Sequence, residues 1–102
     1  MREGFSEELG VEDSVDFDHL KRYKVLLLND DYTSMDFVVD ILMDVFRHPL
    51  DHAINLMLEI HKNGRAVCGV YTYEIAETKI SIVTKRAREN EYPLKAIMEE
   101  DS

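Results

Sequence analysis

Residues 26–43 read LLLNDDYTSMDFVVDILM, and a strand-like run gives way to a helical pattern inside them. The aliphatics stop at Leu28, three oxygen-bearing side chains follow at Asn29, Asp30 and Asp31, and apolar residues at helical spacing begin near Met35. YKVLLL (Tyr23–Leu28) is a short apolar run bounded by turn-formers, and it reads as a buried strand. Thr33 is placed to cap the helix, with Asp36 three residues later in capping-box register and close to the positive helix end. Phe37, Val38, Ile41, Leu42, Val45 and Phe46 then share one face, and Asp36, Asp40 and Asp44 line the opposite, solvated one.

Outward from this junction the pattern continues. Pro49 suits the first turn of a second helix, where its missing N–H is not needed. Leu50, Ile54, Met57, Leu58 and His61 recur on one face, and Asn63-Gly64 stops the helix in a left-handed cap. RAVCGVY (65–71) is a second strand. Tyr73 to about Asn90 is a third helix, on the spacing of Ala76, Ile80, Val83 and Ala87. Pro93 breaks it, and LKAIM (94–98) alternates as a closing edge strand. The order β-α-α-β-α-β predicts an α+β domain, a small three-stranded sheet packed against three helices, over residues 21–102. Residues 1–20 show neither period and mix glycines and serines with acids, which predicts a disordered, flexible N-terminal arm.

At 102 residues and 45% hydrophobic composition the chain supports one domain with its own core. A single cysteine excludes a disulfide framework and makes a reducing cytoplasm the default compartment. No apolar window reaches membrane-spanning length and no basic-then-apolar leader is visible, which predicts a soluble cytoplasmic protein. Of the net charge of −9, residues 1–20 carry −6, from seven acids against one base. An acidic arm on a mildly acidic body argues against nucleic acid, whose affinity comes from neutralised phosphates, and against anionic membrane surfaces.

The chemistry-bearing residues have more than one reading. Asn29-Asp30-Asp31 fits a turn with helix entry. Thr33 already supplies the cap, however, and two adjacent acids repel unless a cation or donor-rich group sits between them, so a site for something positive is the sharper reading. His61 is either a hydrogen-bonded core histidine or an acceptor at the mouth of an apolar pocket. Met35, Met57 and Leu94 are core residues by default, and methionines also line adaptable pockets. A zinc site from His48, His52 and His61 is opposed by Pro49, which disrupts the i, i+4 pair. A metal-dependent hydrolase on Asp30, Asp31 and His61 is the rival of a different class, and a module binding internal peptide segments a milder one. Cys68 reads as a buried structural thiol alternating with Ala66 and Val70. Lys85, Arg86 and Arg88 read as a solvated helix face.

Three ordered motifs, YKVLLLNDDYTSM, LMLEIHKNGRAVCGVYTYEIAETK and ARENEYPL, resemble the ClpS family of bacterial N-end-rule adaptors of the Clp protease, over about residues 23–98. The resemblance implies a non-enzymatic protease adaptor. It would bind proteins that begin with Phe, Leu, Tyr or Trp and hand them to the N-terminal domain of a ClpA-type AAA+ unfoldase. It implies no cofactor, no metal and a monomer. By position, Asn29, Asp30 and His61 would hold the substrate's α-amino group, with Asp31 and Thr33 completing the polar rim. Met35, Val38, Met57, Ile60 and Leu94 would form the pocket for the first side chain. Glu74 and Lys79 match unfoldase-contacting positions, and the acidic arm matches the family's mobile extension by position only. Ser34 stands where many members have Pro, and both residues suit a helix start.

Overall fold

The structure is a computed structural model and describes residues 21–101. The expected arm at 1–20 therefore lies outside the described residues. The central element is β1 (Arg22–Leu28), with β2 (Arg65–Thr72) on one side and β3 (Lys95–Asp101) on the other, both antiparallel to it, in the order β2-β1-β3. Between the strands run α1 (Met35–Asp44), α2 (Leu50–Asn63) and α3 (Tyr73–Glu89). This is the α+β order that the sequence predicts, with β1 beginning one residue earlier and β3 running on to Asp101.

Val25 and Leu27 alternate onto one face of β1, where they join Ile41 and Leu42 of α1, Ala53, Leu56 and Ile60 of α2, and Val83 of α3 in one core. Leu27, Ile41, Leu42, Val25 and Val83 are each sealed from solvent. Burial of such a side chain contributes about 1.5–3 kcal/mol.

Three local expectations change. The cap of α1 is Ser34, whose Oγ accepts from the Phe37 N–H at 3.1 Å, and not Thr33. Asp36 therefore sits at the second helical position, out of capping-box register. Pro49 is the extended residue before α2 and not part of its first turn. The third change concerns α2. Its buried residues are Ala53, Leu56 and Ile60, whereas Leu50, Ile54 and Leu58 of the expected apolar face are exposed at 55%, 37% and 49%.

Two irregularities pin the strands. Val25 faces Gly69 while Leu26 faces Val67, so Cys68 is the extra residue of a β-bulge. Its carbonyl is bonded by His48 Nε2 at 2.6 Å, which fastens the α1–α2 loop to β2. The bulge also breaks the expected alternation: Ala66 and Cys68 are buried and Val70 is exposed. Gly69 lies under the Tyr71 ring, which a Cβ there would overlap.

At the other end of β2, Gly64 takes φ 92°, closing α2 with its N–H on Ile60 O, and its own carbonyl accepts the Asn29 N–H at 2.8 Å. L-residues with a Cβ are penalised there by about 1–2 kcal/mol. Gly64→Ala should lower the melting temperature by roughly 4–8 °C per kcal/mol lost, a drop visible in thermal denaturation. An unchanged midpoint would mean that the turn tolerates the strain.

Candidate functional site

The end of β1 and the end of α2 meet at the Gly64 turn, and a cavity of about 220 Å³ opens beside it. Asn29, Asp30, Asp31 and Thr33 of the β1–α1 loop, Met35 and Val38 of α1, and Met57, Ile60 and His61 of α2 line it. Nine of the ten residues expected to form the α-amino site, the rim and the pocket are thus brought together. Leu94 is not among them. It sits just before β3, 5% exposed, as a member of the buried core cluster, which is the default core reading of this residue. Glu74 and Lys79, on α3, do not line the cavity.

The two halves of the wall differ in chemistry. Asn29, Asp31 and His61 are exposed and Asp30 is half-buried, forming an oxygen- and imidazole-bearing rim. Val38 and Ile60 are buried and Met57 is half-buried, forming an apolar floor. Met35, the first residue of α1, stays 48% exposed at the entrance.

Asp30 organises the loop. Its Oδ1 accepts from the N–H groups of Tyr32 at 2.8 Å and Thr33 at 2.7 Å, and its Oδ2 accepts from the Thr33 hydroxyl at 2.7 Å. Partial burial acts to raise the pKa of this carboxyl. The hydrogen bonds from the Thr33 hydroxyl, the Thr33 amide and the Tyr32 amide outweigh it, so Asp30 lies below its ordinary 3.8 and stays anionic. A carboxylate has about four acceptor positions, and three are used here, leaving one on Oδ2. The role of the Thr33 hydroxyl was readable in the Asp-x-x-Thr spacing, a side-chain-to-backbone turn pattern, once helix capping was assigned to Ser34.

The other chemistry-bearing residues are dispersed. The Cys68 thiol is buried and pushed up to about 12, a structural thiol as expected. The rings of His48 and His52 touch edge to face at 4.7 Å, but His48 Nε2 is committed to Cys68 O and His61 lies in the cavity. Among the described residues no three His, Cys, Asp or Glu side chains gather into a metal-holding group, so neither the zinc reading nor the metal-hydrolase reading finds its ligand set. Lys79 is half-buried, donates to the carbonyl of Val45, the C-cap of α1, at 2.7 Å and lies 5.4 Å from the Tyr71 ring centre. Glu74, in the first turn of α3, is exposed. Arg86 pairs with Asp44 at 3.3 Å, tying α3 to α1. No helix among the described residues is long and apolar enough to cross a membrane.

Comparison with known proteins covers most of the described chain. The family model described as ATP-dependent Clp protease adaptor protein ClpS matches residues 18–97. The chain belongs to the ClpS family. It is 55% identical over 80 residues to the ClpS adapter protein of Wolinella succinogenes, covering 78% of each chain. It is 56% identical over 88 residues to that of Acetivibrio thermocellus, covering 86% of this chain and 89% of the relative. The solved structure of Agrobacterium tumefaciens ClpS2 bound to L-phenylalaninamide superposes with a TM-score of 0.78 at 41% identity, over 80% of this chain and 99% of that one. A Clp protease adaptor fold thus carries this cavity.

The Asp30 bonds have a pH signature. Because the folded-state pKa is depressed, their contribution is present above the unfolded value of 3.8 and is lost as pH falls through the lower folded value. Asp30→Asn should therefore cost about 1 kcal/mol in urea unfolding at pH 7 and almost nothing once the wild-type carboxyl is protonated. An equal deficit at both ends of the pH range would contradict the assignment.

Proposed function

We propose that this ClpS-family chain binds the N-terminal residue of protein substrates, Phe, Leu, Tyr or Trp, together with its free α-amino group, and delivers them to a ClpA-type AAA+ unfoldase. One observation supports this above the rest: a single small cavity joins an acceptor-rich rim to an apolar floor. An α-ammonium is a cation with three donors, and carboxylates, an amide oxygen and a neutral imidazole nitrogen are its natural acceptors. Asn29, Asp30 and His61 fill that role, with Asp31 adding charge at the rim. The volume of about 220 Å³ is below the roughly 300–1,000 Å³ of drug-sized sites, so it suits one side chain. The ligand of the Agrobacterium relative fits the same description, since phenylalaninamide presents a free amine beside a benzyl group.

The energies require both halves. A charge-assisted hydrogen bond contributes about 1.5–3 kcal/mol net. Burying a Leu or Phe side chain contributes about the same. Association itself costs an estimated 4–15 kcal/mol, so neither half suffices alone. An internal Phe has no free amine, and an N-terminal Ser has nothing for the floor. For the unfoldase we assign Glu74, whose carboxylate is exposed, and Lys79, which keeps two donors beyond the one given to Val45.

Two experiments check the reading. Acetylating the α-amine of a Phe- or Leu-initiated peptide should weaken binding at least tenfold, about 1.4 kcal/mol, in a titration by fluorescence anisotropy. Equal affinity for both peptides would reject N-terminal recognition. Met35 at the entrance should exclude β-branched first residues, which carry bulk beside the backbone and a stiff χ1. Met35→Ala should then admit Val- and Ile-initiated peptides, and an unchanged preference would place the filter elsewhere.

A further inference from the structure

Residues paired across antiparallel strands share a face, and neighbours along a strand alternate. Tyr23, Val25 and Leu27, with their partners Tyr71, Ala66, Met98 and Ala96, pack against the helices. Leu26 and Leu28 of β1, Val67 and Val70 of β2 and Ile97 of β3 therefore lie on the other face, and none of them belongs to the helix-packed core. Leu26 at the centre is 4% exposed, whereas Val67 and Val70 are 39% and 38% exposed. The same face carries four cations, Arg22, Lys24, Arg65 and Lys95, against two carboxylates, Glu99 and Asp101. Arg65 and Glu99 pair at 3.2 Å, but both are half-exposed, and such surface pairs hold weakly enough for Arg65 to turn to another anion. The face is thus an apolar strip with a net positive border on a body that is acidic on balance.

We infer that residues 11–20 of this chain lie across the open face of the sheet. Charge selects them, since residues 1–20 carry −6 and Glu12, Asp13, Asp16 and Asp18 fall within this segment. Val11, Val15, Phe17 and Leu20 stand among those acids and supply apolar side chains for the strip. The reach is sufficient. The segment joins the sheet at Lys21, next to the first residue of β1, and ten extended residues span about 33–36 Å. Seven residues of strand are about 23 Å long, and three strands are about 10 Å across. A second copy of the chain is the poorer occupant, because it would set two positive borders against each other.

The test uses the full chain with one nitroxide label. Ser14→Cys takes the label, and Cys68 stays unreacted because its thiol is buried and pushed up to about 12. In the NMR spectrum the methyl signals of Val67, Val70 and Ile97 should lose most of their intensity. Ile75, exposed and three residues past Thr72, the partner of Arg22, should keep most of its own. An arm that swings freely from Lys21 would broaden Ile75 as much as the sheet, and that result overturns the docking. So does the absence of any broadening. Raising NaCl from about 0.05 to about 0.5 M shortens the screening length roughly threefold and should restore the lost signals. Asp13→Asn/Asp16→Asn/Asp18→Asn should restore them too, without touching a residue of the sheet. Broadening that persists in both conditions overturns the charge-selected contact. Broadening of an isotope-labelled chain by a separate nitroxide-bearing chain assigns the face to a second copy, which also overturns it.

Discussion

The hydrogen bond from the Asn29 N–H to the Gly64 carbonyl, 2.8 Å long, closes the end of β1 onto the end of α2. It can form because Gly64 adopts a left-handed conformation that turns the chain straight from α2 into β2, whose first residue, Arg65, pairs with Leu28. Much of the site lies close to that junction in the chain. Asn29, Asp30 and Asp31 follow the strand, and Met57, Ile60 and His61 precede the turn. The polar rim comes from the loop and from His61 of α2, the apolar floor from the helices, and this backbone contact holds the loop and the end of α2 together.

Around the junction, rigidity is divided between two kinds of interaction. The floor is held by the core, since Val38 and Ile60 are almost fully buried members of it. The rim has little burial to hold it and uses hydrogen bonds inside the loop. Asp30 spends three acceptor positions on Tyr32 and Thr33 and keeps one free of protein partners, available to the proposed ligand. A carboxylate fixed in this way is already desolvated in part and aimed, so a ligand cation need not order it. That lowers the cost of binding without enlarging the contact. On the far side, Lys79 closes the C-terminal end of α1 and Arg86 ties α3 to the same helix. The helix that carries Met35 and Val38 is thus anchored from α3, where the proposed unfoldase contact also lies.

The sequence by itself determined the element order, because each element carries its own period and its own stop signal: the apolar run ending at Leu28, the Gly64 cap and the Pro93 break. It also pointed to the residues of the site, since Asn29, Asp30, Met57 and His61 of the family motifs all line the cavity. The premise that Thr33 caps α1 and leaves the acids to spare does not hold, because Ser34 is the cap and Asp30 organises the turn. Tertiary packing decided the rest. In α2 two adjacent faces are both apolar, one at Leu50, Ile54 and Leu58 and one at Ala53, Leu56 and Ile60. A helical period shows that a face exists but not which face meets the core, and here it is the face of Ala53, Leu56 and Ile60. The bulge at Cys68, the Ser34 cap, the buried place of Leu94 and the commitment of Lys79 to Val45 have the same origin. Each depends on a partner distant in the chain or on competition between neighbouring residues for one hydrogen bond, and local patterning carries no record of either.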